Sequence, residues 1–217
     1  QMNTNLPIYV IRTDVHSFFE SIKHDRLFAL IDRNSVLSVK SKEMTKNIIR
    51  EYDRVKNAAL VPKGQGVPRG IGISSPLSEI YMADIDKEIK GRKEVIFYSR
   101  YVDDILIILA YLPQQMNLNK YYKELESKFN EEYGLTLQPV GAAKCELHDM
   151  YKHILGVPRN QTLSYLGYKL YVGGTDDRNV LFGLSDDRKT RFKNRVDHAF
   201  ERFGHVVKVD IKQAKRD

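Results

Sequence analysis

The chain has 217 residues, 42% of them hydrophobic, with 35 Lys and Arg against 28 Asp and Glu and a formal charge of +7. That length and apolar content admit one generous domain, or one domain with a small appendage, and the mild basic excess favours a polyanionic partner without naming one. A single cysteine, Cys145, excludes a disulfide framework and a cysteine-based zinc site, and no apolar run approaches a bilayer span, so the expectation is a cytoplasmic protein with no membrane association.

Residues 8–13 are rich in β-branched and aromatic side chains and end at Asp14, which predicts a buried strand whose tip presents a carboxylate. Residues 18–32 carry apolar side chains at helical spacing, with Phe19, Ile22, Leu27, Leu30 and Ile31 available for an inner face. A more polar helix is predicted over 40–56. It is followed by a loop in which Pro62, Gly64, Gly66, Pro68, Gly70 and Gly72 preclude regular structure. Helical periodicity resumes over 74–89. Residues 95–98 and 105–109 read as two strands of an antiparallel hairpin with Asp103 and Asp104 at its turn. A helix over 121–133 is ended by Gly134, and residues 135–137 are expected to begin a further strand. Residues 164–172 are expected to add another, centred on Leu166, Gly167 and Tyr168. Ser185 offers an N-cap to a helix with Asp186 and Asp187 in its first turn and Phe192, Val196, Ala199 and Phe203 on one face. The expected internal boundary is near Gly173 and Gly174.

A βαββ unit places the hairpin beside the first strand, so that Asp14, Asp103 and Asp104 converge. Clustered carboxylates repel one another unless a cation compensates, and hard oxygen ligands with open water positions suit Mg²⁺. The alternative is that Asp is simply a good turn residue. Here the pair follows Tyr101 and Val102 and precedes a run of aliphatics, which holds both charges at the tip of a buried hairpin.

The run Tyr101-Val102-Asp103-Asp104 resembles the signature of the reverse transcriptase family: an aromatic, any residue, then two aspartates. The ordered series around it makes the match specific. Asp14-Val15-His16-Ser17-Phe18-Phe19-Glu20-Ser21-Ile22 looks like the family's first palm motif. Gly66-Val67-Pro68-Arg69-Gly70, running into Ser74 and Leu77-Ser78-Glu79-Ile80-Tyr81, looks like its second. Lys144 stands in the place of the motif lysine, Leu166-Gly167-Tyr168 is similar to the primer-grip hairpin, and the helix after Ser185 resembles the start of a thumb. The resemblance implies an α+β right-hand polymerase: a ferredoxin-like antiparallel palm sheet with helices on one face over residues 1–173, and the beginning of a helical thumb over 174–217. The fingers are expected to lie outside this chain, so that it polymerises poorly as an isolated fragment.

The implied activity is RNA-directed DNA synthesis from dNTPs, on an RNA template with a DNA or RNA primer or a protein hydroxyl, with a partner subunit or oligomer as a further possibility. Two Mg²⁺ ions, replaceable by Mn²⁺, would be held by Asp14, Asp103 and Asp104 with the Val15 carbonyl. Lys144 would protonate the pyrophosphate, against the alternative of a solvated charge. Phe19 matches the family's steric gate against a ribose 2′-hydroxyl, with a core role as its rival; Phe18 is assigned to the core. Gly66, Gly70 and Gly72 would let the backbone pass beneath the nucleotide. Arg69 departs from the family's usual glutamine and could pair with a triphosphate, and Ser74-Ser75 replaces the common Ser-Pro. Arg188, Arg191 and Arg195 suit phosphate contacts or a plain solvated face, and no histidine, His153 included, is given a role. The Gly72-Ile73-Ser74-Ser75 stretch and its continuation look most like bacterial defence-associated reverse transcriptases of the abortive-infection kind. Group II intron or retron-type enzymes, a palm-fold RNA polymerase and a catalytically silent nucleic-acid-binding module are the alternatives.

Overall fold

In the computed structural model, residues 8–110, 117–149, 162–172 and 180–213 are described. His153 and the boundary expected at Gly173-Gly174 lie outside them. The chain divides into two compact units, Gln1–Val157 and Pro158–Asp217.

The first unit is built on a four-stranded antiparallel sheet. Its strands are β1 (Ile8–Asp14), β2 (Val95–Tyr101), β3 (Asp104–Ala110) and β4 (Glu146–Asp149), in the order β2-β3-β1-β4. β3 lies between β1 and β2 and runs antiparallel to both, the split βαβ arrangement of ferredoxin-like folds. The intervening helices are α1 (Phe18–Ser21), α2 (His24–Arg33), α3 (Val39–Val55), α4 (Ser74–Lys90) and α5 (Leu118–Tyr133).

Strand alternation decides what each sheet face carries. Tyr9, Ile11 and Thr13 of β1 stand opposite Leu109, Ile107 and Ile105 of β3, and all six are buried. The five apolar ones share one core with Leu77, Tyr81, Met82, Ile85 and Ile89 of α4 and Tyr122, Leu125, Phe129 and Tyr133 of α5. Burying each such aliphatic or aromatic side chain is worth about 1.5–3 kcal/mol. Polar atoms inside this core find partners: Thr13 Oγ1 and Tyr122 Oη are 2.6 Å apart, and Tyr81 Oη donates to the Tyr133 carbonyl at 2.6 Å.

Helix ends follow local chemistry. Ser38 caps α3 by accepting from the Ser41 amide at 3.1 Å, and Asn117 caps α5 by accepting from the Lys120 amide at 3.0 Å, each worth about 1 kcal/mol. Gly134, at φ +64°, closes α5 in the left-handed conformation, and the Leu135 amide returns to the Phe129 carbonyl at 2.9 Å.

The structure corrects three expectations. The helix read over 18–32 is broken into α1 and α2, because the Ile22 carbonyl accepts from the Gly66 amide at 2.7 Å and Lys23 pairs with Gln65 in place of a helical turn. Residues 135–137 form no strand; only Leu137 bridges to Val15, and the edge strand is β4, whose polar sequence concealed it. The run over 164–172 is not one strand. It folds into a hairpin of β5 (Thr162–Tyr165) and β6 (Tyr168–Val172), turned by Leu166 and Gly167 at φ +50° and +79°. Positive φ at both turn residues matches the right-handed twist of the flanking strands.

In the second unit this hairpin is extended by β7 (Val180–Leu184) into a three-stranded sheet, followed by α6 (Asp186–Gln213). Ser185 accepts from the Arg188 amide at 3.3 Å, as its N-cap position predicts. Phe192, Val196, Phe200 and Phe203 of α6 are exposed. Among the described residues no helix is long and apolar enough to cross a membrane.

One ionic hub ties α4 to α5 and has a testable pH signature. Glu88 accepts from Lys128 and Tyr133 and lies 3.4 Å from Arg92; burial alone would raise its carboxyl, but these hydrogen bonds hold it below the ordinary carboxylate range. A depressed carboxylate contributes stability that is fully present above its unfolded pKa, and that is lost as pH falls through the lower folded one. Chemical denaturation across acid pH is expected to show that loss in the wild type and a flatter acid limb in Glu88→Gln; identical limbs would contradict it.

Candidate active site

β1 and β3 bring the acidic residues together by register. Asp14 stands directly opposite Asp104, and the Val15 amide donates to the Asp103 carbonyl at 3.0 Å. Asp14 is buried, while Asp103 and Asp104 are partly so. Burial pushes the Asp103 carboxyl upward, and the adjacent Asp14 charge adds to it. Asp104 is also raised, by burial first and then by Asp14 and Asp103, against the opposing pull of Arg12. Lys144 Nζ donates to Asp14 Oδ2 at 2.7 Å, a bond that raises the ammonium pKa. Lys144, with its side chain 57% exposed, is therefore paired with the acidic cluster at its solvent edge.

The hairpin turn is anchored from the helix side. Val102 lies at φ +58°, a conformation that β-branched residues rarely adopt and that costs on the order of 1–3 kcal/mol. Its carbonyl accepts from Arg100 Nη1 at 2.9 Å. The same guanidinium binds Asp86 at 2.9 and 2.8 Å and Glu79 at 2.9 and 2.7 Å, both on α4, and its side chain is only 4% exposed. Tyr98 Oη donates to Asp86 at 2.6 Å. Sequence reading missed Arg100; the available signal was a charged residue inside a β-prone run, at a position facing the helices.

The glycine-rich loop is held against the segment that follows Asp14. The Val67 amide donates to the Phe19 carbonyl at 2.9 Å, next to the Gly66–Ile22 bond. His24 Nε2 donates to the Gly66 carbonyl at 2.6 Å. Lys56 Nζ binds Asp53 at 2.6 Å and the Pro62 carbonyl at 2.7 Å, and also donates to the Gln65 carbonyl. Gly66 has no room for a side chain, since a Cβ there would lie 2.7 Å from Val61 Cγ1, and its φ is +88°. Gly70, at φ +79°, faces open space instead.

Phe18 is buried and Phe19 half-buried at the core's edge. The Arg69 guanidinium sits over the Phe19 ring at 5.7 Å and binds Glu20 Oε2 at 2.5 Å, with its side chain 62% exposed. In the second unit, Leu166 and Gly167 form the hairpin turn and Tyr168 begins β6. Arg188 Nη1 approaches the Leu166 carbonyl at 3.4 Å, and its guanidinium lies over the Tyr168 ring at 5.0 Å. Arg188 thus packs on the turn, whereas Arg191 and Arg195 are exposed on α6.

The family model for reverse transcriptase (RNA-dependent DNA polymerase) matches residues 2–170. This chain belongs to the reverse transcriptase family. No curated protein matches it in sequence. Among solved structures, it is similar to apo telomerase from Candida tropicalis truncated from the C-terminal domain, with a TM-score of 0.54 and 15% identity over 82% of this chain and 36% of that one. It is also similar to telomerase from the same organism in complex with a TWJ fragment of telomeric RNA, with a TM-score of 0.53 and 16% identity over 83% of this chain and 30% of that one. At such identity the likeness is one of fold, and the chain spans about a third of those structures' length. The reverse transcriptase palm is therefore the fold of this chain.

Among the described residues, no group of three or more His, Cys, Asp and Glu side chains forms a ready-made metal cage. The donor chemistry nevertheless suits a hard divalent cation. Asp14, Asp103 and Asp104 are oxygen donors; burial and the neighbouring acids raise the carboxyls of Asp103 and Asp104, and an added positive charge would relieve that cost.

Proposed function

We propose that the chain is the catalytic palm and the start of the thumb of an RNA-directed DNA polymerase, which joins dNTPs to a primer on an RNA template. The reading rests on one observation above the rest: Asp14 and Asp104 face each other across β1 and β3, with Asp103 at the adjoining turn and Lys144 on Asp14. Asp14, Asp103 and Asp104, with the Val15 carbonyl, would hold two Mg²⁺ ions, for which Mn²⁺ can substitute. Bound there, the metals supply activation of the primer hydroxyl and neutralisation of the leaving pyrophosphate.

The chain's own residues supply placement. Arg100 fixes the turn that carries Asp103. Lys144, protonated and at the edge of the acidic cluster, is placed to give a proton to the leaving group. The Gly66–Gly70 segment is pinned through Gly66 and Val67 to Ile22, Phe19 and His24, and Gly70, which faces open space, would give a nucleotide close access to the backbone. Arg69, exposed and paired with Glu20, could exchange that carboxylate for the triphosphate. Arg191 and Arg195 suit a nucleic-acid backbone, and the Leu166–Tyr168 turn, braced by Arg188, suits a primer end. RNA template, primer, dNTPs and any partner subunit belong to this proposal, as does a cytoplasmic location. So does a role in bacterial antiphage defence, which rests on the resemblance of the 72–81 segment alone.

Phe19 decides the sugar in this reading. Its half-buried ring, backed by Phe18 at 5.6 Å and covered by Arg69, presents bulk where a ribose 2′-hydroxyl would have to fit. Phe19→Ala is expected to raise the use of rNTPs relative to matched dNTPs at some cost in rate. If the ring served only the core, the change would cost roughly 3–5 kcal/mol of stability and leave the ratio alone. Measuring kcat/KM for both nucleotides beside thermal stability separates these; an unchanged ratio in a destabilised variant would refute the gate.

A further inference from the structure

The sheet face that carries Asp14 and Asp104 bears a third charged residue of the same parity on β1. Register places Arg12 opposite Glu146 of β4 and diagonal to Asp104 of β3, a spacing at which long side chains on one sheet face meet. Arg12 Nη1 donates to Glu146 Oε1 at 2.7 Å, and Arg12 Nε lies 3.5 Å from Asp104 Oδ1. Glu146 Oε2 is in turn 3.1 Å from His148 Nε2. The side chains of Arg12, Asp104 and Glu146 are 16%, 18% and 24% exposed, so solvent screens these charges poorly. Among the described residues Arg12 Nε makes no hydrogen bond. The guanidinium is thus fixed in place by Glu146 and holds Asp104 by charge.

We propose that Arg12 is a resident counter-cation of the carboxylate cluster: it balances Asp104 while no divalent ion is bound, and so sets how tightly the cluster takes one. The inference rests on the reading of Asp14, Asp103 and Asp104 as metal-binding carboxylates. Without Arg12, more of the repulsion among the three acids would fall on the folded state. With Arg12 in place, an incoming divalent ion meets a fixed positive charge already committed to Asp104. Because Glu146 grips the far side of the guanidinium, Arg12 cannot simply swing aside. Removing its charge therefore has two opposite consequences: the metal-free protein loses stability, and the divalent ion binds more tightly.

The test is calorimetric binding of Mn²⁺ alone, with melting curves in its absence and presence, on the wild type, Arg12→Gln, Arg12→Lys and Asp14→Asn. Arg12→Gln is expected to melt lower without Mn²⁺, to bind Mn²⁺ roughly three- to tenfold more tightly, and to gain more in Tm on adding it. Arg12→Lys should stay near wild type. Arg12→Met, which keeps the apolar stem, carries the same test if the glutamine variant does not fold. A wild-type Mn²⁺ affinity and Mn²⁺-induced Tm rise in the charge-removed variant would overturn the inference and leave Arg12 a packing role only. Asp14→Asn separates the two levels: if it binds Mn²⁺ like the wild type, or if the wild type binds none, the carboxylate reading fails and the inference with it.

Discussion

Replacing Asp103 and Asp104 together by asparagine is expected to abolish nucleotide addition, by roughly 10³-fold or more, in a protein that still folds. The amide keeps the shape of the carboxylate and removes the charge that a pair of divalent ions requires. Folding should survive for a reason visible at the site. Both carboxyls are already pushed upward by burial and by neighbouring acids, so neutralising them relieves repulsion. Arg12, which loses Asp104, keeps Glu146. Tm is therefore expected to hold or rise in the absence of metal. A folded double variant that incorporates nucleotides at the wild-type rate would contradict the assignment.

Arg100→Ala is expected to cost about 3–5 kcal/mol of stability, the scale for removing one partner of a buried ion pair. The guanidinium is 4% exposed and satisfies Asp86, Glu79 and the Val102 carbonyl at once. Its loss leaves Asp86, itself only 18% exposed, with Tyr98 as its remaining hydrogen-bond donor among the contacts described. It also frees the strained turn beside Asp103, so activity should fall further than stability alone explains. Urea denaturation reads the first effect, and a loss below about 1 kcal/mol would show that the α4 acids are solvated without Arg100.

The sequence showed the acidic cluster because its residues sit in runs of strong character. Asp14 ends a β-branched strand, and the Asp103-Asp104 pair interrupts aliphatic β runs, so each carboxylate marks an edge. Gly134 was legible for the same kind of reason, since a helix pattern stops at a residue suited to left-handed backbone. What stayed hidden depends on pairing between distant segments. Nothing in Glu146–Asp149 announces a strand, because its polar side chains reflect a partner, β1, whose Arg12 needs Glu146 across the register. In the sequence Arg12 and Arg100 are single charges inside β-prone runs; their value lies in acids on β3, β4 and α4. The break between α1 and α2 follows from backbone bonds to Gly66, which no local propensity encodes. Leu166-Gly167 reads as strand by composition and becomes a turn because both residues take positive φ.

The most direct measurement is primer extension by the full-length protein on a defined RNA template with dNTPs and Mg²⁺, with the product sequenced and a folded Asp14→Asn variant run beside it. The predicted result is a DNA product complementary to the template from the wild type and none from the variant. A product whose sequence ignores the template, or extension that persists undiminished in Asp14→Asn, would contradict the assignment of this palm to RNA-directed DNA synthesis.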